Sequence, residues 1–120
     1  MKRLLATGTM ILVVSLAAAG TAAAAPRATV LHLKAEASGL RYDKKTLHAH
    51  AGKVTIMMKN LSVLKHDVAI KGHGVNRKGK IVGKGGTSTV TATLKKGRYE
   101  FYCSVDGHAE AGMKGTLIVS

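Results

Sequence analysis

One cysteine and two neighbours set the chemistry open to this chain. Cys103 is the only cysteine, His108 follows it by five positions, and Met113 follows by five more. A thiolate, an imidazole and a thioether, completed by a second imidazole, form the donor set of a copper ion poised for one-electron transfer. The thiolate and imidazoles bind strongly, and the thioether makes a long, weak axial contact. Five other histidines are available, and His66 is the candidate for the fourth ligand. The two copper oxidation states prefer different geometries, so a rigid scaffold holding the site between them keeps reorganisation small. Metal binding also gives a lone thiol in an exported chain a reason to exist, since a free one tends to oxidise or cross-link.

A β scaffold is what the rest of the sequence describes. Val30 to Ala35 alternates apolar and polar residues, as a half-buried strand does. A turn at Asp43-Lys44-Lys45 leads to a strand from Thr46, and Val54 to Lys59 reads as a further strand. His66 to Ile70 alternates again. Lys71 to Gly86, with six glycines and five basic residues, reads as a mobile loop with a short strand at Lys80 to Val82. Thr87 to Leu94, Arg98 to Cys103 and Gly115 to Ser120 complete the set. No stretch after the leader shows sustained helical periodicity. The expectation is an all-β Greek-key β-sandwich or barrel of seven or eight strands.

The N-terminal residues 1–25 read as a secretory signal peptide. Lys2 and Arg3 precede the apolar run from Met10 to Ala19, and Ala22 to Ala25 offers small residues, with cleavage near Ala24. A retained anchor is the alternative, for which the apolar run is short. Residues 26–120 then form one domain, large enough for one core. Without Lys2 and Arg3 the formal charge falls from +13 to +11. That balance favours acidic partners or anionic surfaces, including peripheral contact with a membrane, and equally serves solubility. Export, few aromatics and the lack of a reader motif argue against nucleic acid.

The flanks of Cys103 carry a resemblance. Tyr99-Glu-Phe-Tyr-Cys103, Gly107-His108 and Ala111-Gly112-Met113-Lys-Gly115-Thr resemble the C-terminal signature of the small blue copper proteins, the cupredoxins, with a Cys-to-His-to-Met spacing most like auracyanin and rusticyanin. The resemblance spans Ala28 to Ser120. It implies a first histidine in a segment of the form Asn, short gap, His, Asn or Asp, Val. Asn60 to Val68 matches and puts that ligand at His66. It further implies that Asp67 tethers the Cys loop through Ser104, and that Tyr99 closes a strand corner. Two departures stand out: Asp106 and Lys65 occupy positions where relatives often carry proline.

Other features carry less. His48 and His50, with His32 and His73, could bind a second metal, but no carboxylate or cysteine sits beside them. Gly79 to Thr87 lacks the Ser or Thr that a phosphate loop needs after Gly83-Lys84. The Asn60-Leu61-Ser62 glycosylation sequon is discounted in a chain of bacterial appearance. The expected protein is therefore a monomeric, exported carrier and not an enzyme, periplasmic or at the cell envelope. It holds one type 1 copper through His66, Cys103, His108 and Met113 and exchanges electrons with redox partner proteins, acidic ones among them. The resemblance places the contact at His108 with Ala109, Ala111 and Gly112. The alternative is a copper-sequestering or copper-delivering protein with the same ligands.

Overall fold

The computed structural model describes residues 8, 10–17, 20 and 27–120. Most of the leader region, including the expected cleavage site, lies outside the described residues. Eight strands form two sheets: β1 (Ala28–Ala35), β2 (Thr46–Ala49), β3 (Gly52–Asn60), β4 (Ala69–Gly72), β5 (Val75–Lys78), β6 (Thr87–Leu94), β7 (Gly97–Tyr102) and β8 (Lys114–Val119). One sheet has the order β1-β3-β6 and the other β2-β8-β7-β4-β5. β1 runs parallel to β3 and β2 parallel to β8, while the remaining pairs are antiparallel. No helix occurs among the described residues. The all-β sandwich expected from the sequence is the observed architecture.

Period-two alternation builds the core. β6 buries Ser88, Val90, Ala92 and Leu94 and turns Thr87, Thr89 and Thr93 to solvent. β3 buries Val54, Ile56, Met58 and Asn60. From the other sheet come Leu47, Ile70, Tyr99, Phe101, Leu117 and Val119. Fully buried Phe101 lies against Tyr42, ring centroids 5.6 Å apart. Truncating such a ring to alanine costs about 3–5 kcal/mol.

The chain changes sheets at tight corners. Between β2 and β3 only His50 and Ala51 intervene, and Gly52 there has φ 127°. A side chain at Gly52 would meet the Arg27 carbonyl at 2.5 Å, so the close approach requires glycine. At the β6–β7 corner the Tyr99 hydroxyl donates to the Lys95 carbonyl at 2.8 Å, the corner role that the resemblance implied.

One region differs from expectation. Lys71 to Gly86 is not a single loop. β4 and β5 pair as a hairpin whose central residues, His73 (φ 49°) and Gly74 (φ 78°), are both left-handed, as a two-residue primed turn demands. β5 is short, charged and at a sheet edge, the form in which edge strands resist further pairing. The expected strand at Lys80 to Val82 is one isolated bridge, Val82 to His66. The strand expected from His66 begins only at Ala69.

Candidate metal centre

His66, Cys103, His108 and Met113 converge at one end of the sandwich. Cys103 directly follows β7, and Met113 directly precedes β8. The loop between them folds on itself. Cys103 N donates to the Met113 carbonyl at 3.1 Å, Met113 N to the His108 carbonyl at 3.0 Å, and His108 N to the Val105 carbonyl at 3.1 Å. Gly107 (φ 78°) makes the left-handed bend just before His108. The loop thus turns a spacing in sequence into a convergence in space.

His66 is brought in from the other side. Its backbone exchanges two hydrogen bonds with Val82, at 3.1 and 2.9 Å. Asn60, wholly buried, holds the preceding loop: its Nδ2 donates to the carbonyls of Leu64 (2.8 Å) and Val82 (2.9 Å), and its Oδ1 accepts from Ser62 N at 2.8 Å. Sequence reading used Asn60 only as a motif landmark. Its burial leaves no room for a glycan in the folded chain.

Three donor atoms face one another. His66 Nδ1 and His108 Nδ1 are 3.1 Å apart, and Cys103 Sγ lies 3.8 Å from the first and 3.6 Å from the second. The point equidistant from all three lies about 2.0 Å from each, close to the length of a metal–imidazole bond and slightly under that of a metal–thiolate bond. A trigonal His2Cys set with a methionine at hand is the blue-copper arrangement. Met113 is wholly buried. The residues present therefore fit a copper ion. Among the described residues this is the only group of three histidine, cysteine or carboxylate side chains close enough to share a metal. His48 and His50 gather no such company.

The surroundings tune these donors. Burial pushes the Cys103 thiol above its ordinary range, partly offset by hydrogen bonds from the backbone of Asp67 and Val105. Burial, and then the neighbouring His108, push His66 below the ordinary histidine value, against a smaller opposing pull from Asp67. The Asp67 carboxylate accepts from Ser104 N at 2.6 Å and from the Ser104 hydroxyl, so the tether implied by the resemblance is present. The Asp67 carbonyl in turn accepts from the buried Tyr42 hydroxyl at 2.6 Å. His66 Nε2 is buried with no hydrogen-bond partner among the described residues. Metal-bound imidazoles usually give their second N–H to an acceptor, and His66 is held by packing and backbone instead.

Exposed apolar residues surround this end. Val63, Leu64 and Ile81 are 78%, 50% and 55% exposed, with Ala111 exposed and Ala109 half-buried on the ligand loop. Val63, Leu64 and Ile81 were not singled out from sequence. The signal for Val63 and Leu64 was the run Leu61 to Leu64, in a connection that does not bury them, and Ile81 carried none.

A family model described as cupredoxin-like domain matches residues 8–119. Among solved structures, auracyanin B is similar at 21% identity, covering 80% of this chain and 91% of that one, with a TM-score of 0.69. Auracyanin A, a "blue" copper protein from Chloroflexus aurantiacus, is 24% identical over 78% of this chain and all of its own, with a TM-score of 0.68. A reduced auracyanin from Roseiflexus castenholzii is 26% identical over 77% and 97%, with a TM-score of 0.66. A comparison with curated protein sequences finds no match.

Proposed function

Because the chain belongs to the cupredoxin-like domain family, we propose that it holds one type 1 copper through His66, Cys103, His108 and Met113 and carries single electrons between exported redox partners. The observation that carries this reading is the triangle of two Nδ1 atoms and one Sγ, with edges of 3.1, 3.6 and 3.8 Å. Copper bound there supplies a one-electron couple. The chain supplies a rigid frame, with the ligand loop pinned by Asp67 and the His66 segment pinned by Asn60. Four donors leave no open position for a substrate, which suits a carrier and not an enzyme.

His108 is half-buried, and the exposed Val63, Leu64, Ile81 and Ala111 offer an apolar contact for a partner at the same end. Lys65, Lys80 and Lys84 are exposed on the same connecting segments, and they favour an acidic partner and speed its encounter. We read residues 1–25 as the signal that sends the domain, residues 26–120, out of a bacterial cytoplasm, as a monomer.

Adding Cu(II) to the protein and to a Cys103→Ala variant tests the site. An intense visible thiolate-to-copper band with narrow copper hyperfine splitting is expected in the first and absent from the second. Reversible redox cycling then supports the carrier role over storage or delivery. A pale spectrum, the same in both proteins, would sink the proposal.

A further inference from the structure

A cluster of five cations stands at the pole opposite the metal site. β1 and β3 start there, and β6 ends there. The Arg27 carbonyl packs on Gly52, Gly52 pairs with Leu94, and Lys95-Lys96 make the turn into Gly97, which pairs with Val119. Arg27, Lys53, Lys95, Lys96 and Arg98 are all exposed at this pole. None of the five takes part in an ion pair among the described residues.

The acidic residues lie elsewhere. Glu36, Asp43, Asp67, Asp106 and Glu110 belong to the metal-site half, and Glu100, midway along β7, is engaged by Lys71 and Lys114. Among the described residues the one large exposed apolar side chain near the five cations is Val30, paired with Thr55 two residues beyond Lys53.

We infer that Arg27, Lys53, Lys95, Lys96 and Arg98 form a docking surface for an anionic lipid membrane. Protein interfaces are built around clustered apolar or aromatic anchors, and this pole offers only the lone Val30. A surface of one sign of charge with so little apolar area suits a sheet of anionic headgroups, which attracts clustered lysine and arginine without needing a fixed partner geometry. The sequence approaching this pole agrees. Residues 27–35 contain no acidic residue. The nine residues of β3 separate this pole from the metal end by about 26 Å. That is several times the screening length of about 8 Å in physiological salt, so the two ends act independently. The lipid surface does not depend on the copper reading. Only its consequence does: docked this way, the domain points His108 away from the lipid and toward its partners.

Residues 27–120 contain all eight strands and the whole core, so this piece carries the fold. Its co-sedimentation with phosphatidylcholine vesicles, alone or with about one lipid in three replaced by phosphatidylglycerol, is the test. Binding is expected only with the anionic lipid and is lost at high salt. Lys95→Glu/Lys96→Glu/Arg98→Glu is expected to weaken it at least about tenfold. Lys65→Glu/Lys80→Glu/Lys84→Glu, the same charge change at the metal end, leaves it within about twofold. No binding to anionic vesicles, or equal loss in both triple variants, overturns the proposal. So does indifference to vesicles with binding of polyglutamate through Lys95, Lys96 and Arg98, which would make the partner an acidic protein.

Discussion

The Asp67 carboxylate takes both hydrogen bonds that Ser104 can give, one oxygen from the backbone N–H at 2.6 Å and the other from the hydroxyl. Asp67 follows His66 and Ser104 follows Cys103, so this contact ties together the two segments that supply ligands from opposite sides of the sandwich. Asp67 is 1% exposed, which makes its loss costly. Asp67→Ala is expected to destabilise the copper-free protein by about 3 kcal/mol, because it deletes charge-assisted bonds and strands a donor. Asp67→Asn keeps an acceptor for Ser104 N and recovers part of that loss. Urea unfolding of the three proteins measures both effects. An alanine variant within about 0.5 kcal/mol of wild type would show that the tether is incidental.

Copper binding must displace the thiol proton. Burial holds the Cys103 thiol above its ordinary range, so near pH 8 it is protonated in the copper-free protein, whereas His66, pushed down, is already free of its proton. Loading is therefore expected to release about one proton per metal ion at that pH. Calorimetric titration with copper in buffers of different ionisation enthalpy counts the protons. In the Cys103→Ala variant the count falls to near zero, and a zero count in the wild type would mean that sulfur does not bind as thiolate.

What the sequence made legible follows the range of each interaction. Cys103, His108 and Met113 lie within eleven residues of one another, and local turns bring them together, so their spacing pointed to them and the flanking residues, through the resemblance, gave it weight. His66 lies 37 residues upstream and was named through the resemblance. The role of Asn60 was not visible, because one of its partners, the Val82 carbonyl, is 22 residues away and joins only in the fold. The apparent alternation from His66 to Ile70 misled for a related reason. All five residues are buried, since the ligand loop covers one side of this segment and Ser88, which accepts from Val68 N, covers the other. The β4–β5 hairpin was hidden by composition: β5 is too polar and short for an apolar pattern, and its turn is marked only by His73-Gly74.

Tyr42 predicts how the fold fails at high pH. Its hydroxyl donates to the Asp67 carbonyl, and its phenol is pushed far above the usual tyrosine range, by burial first and then by the negative charge available at Cys103 and Asp67. A raised folded-state value means that the unfolded chain gives up this proton first as pH rises. The contribution is complete below about pH 10 and is lost above it, at about 1.4 kcal/mol per pH unit. Lysines and other tyrosines titrate in the same window, so the comparison with Tyr42→Phe isolates the effect. The variant is expected to be about 1 kcal/mol less stable at neutral pH, with a gap that closes above pH 10. A constant gap through that range would show that Tyr42 ionises equally in both states.

Gly115 sits where β8 crosses the aromatic core, and its lack of a side chain is a packing requirement and not a turn requirement. A Cβ there would lie 2.2 Å from Phe101 Cζ and 2.5 Å from the Lys45 carbonyl oxygen. Phe101 is fully buried and packed at a tilt against Tyr42, while the Lys45 carbonyl already accepts from Thr116 N. Neither neighbour can retreat freely. Gly115→Ala is expected to cost about 2–3 kcal/mol, in the range of overpacked cores. The strain falls on β7 and β8, the two strands that hold the ends of the ligand loop, so copper should also leave the variant faster under a chelator. A second change that makes room at the same ring, Phe101→Leu, is expected to cost less in the Gly115→Ala background than in the wild type. Additive losses across that cycle would place the effect of Gly115 in the backbone and not against Phe101.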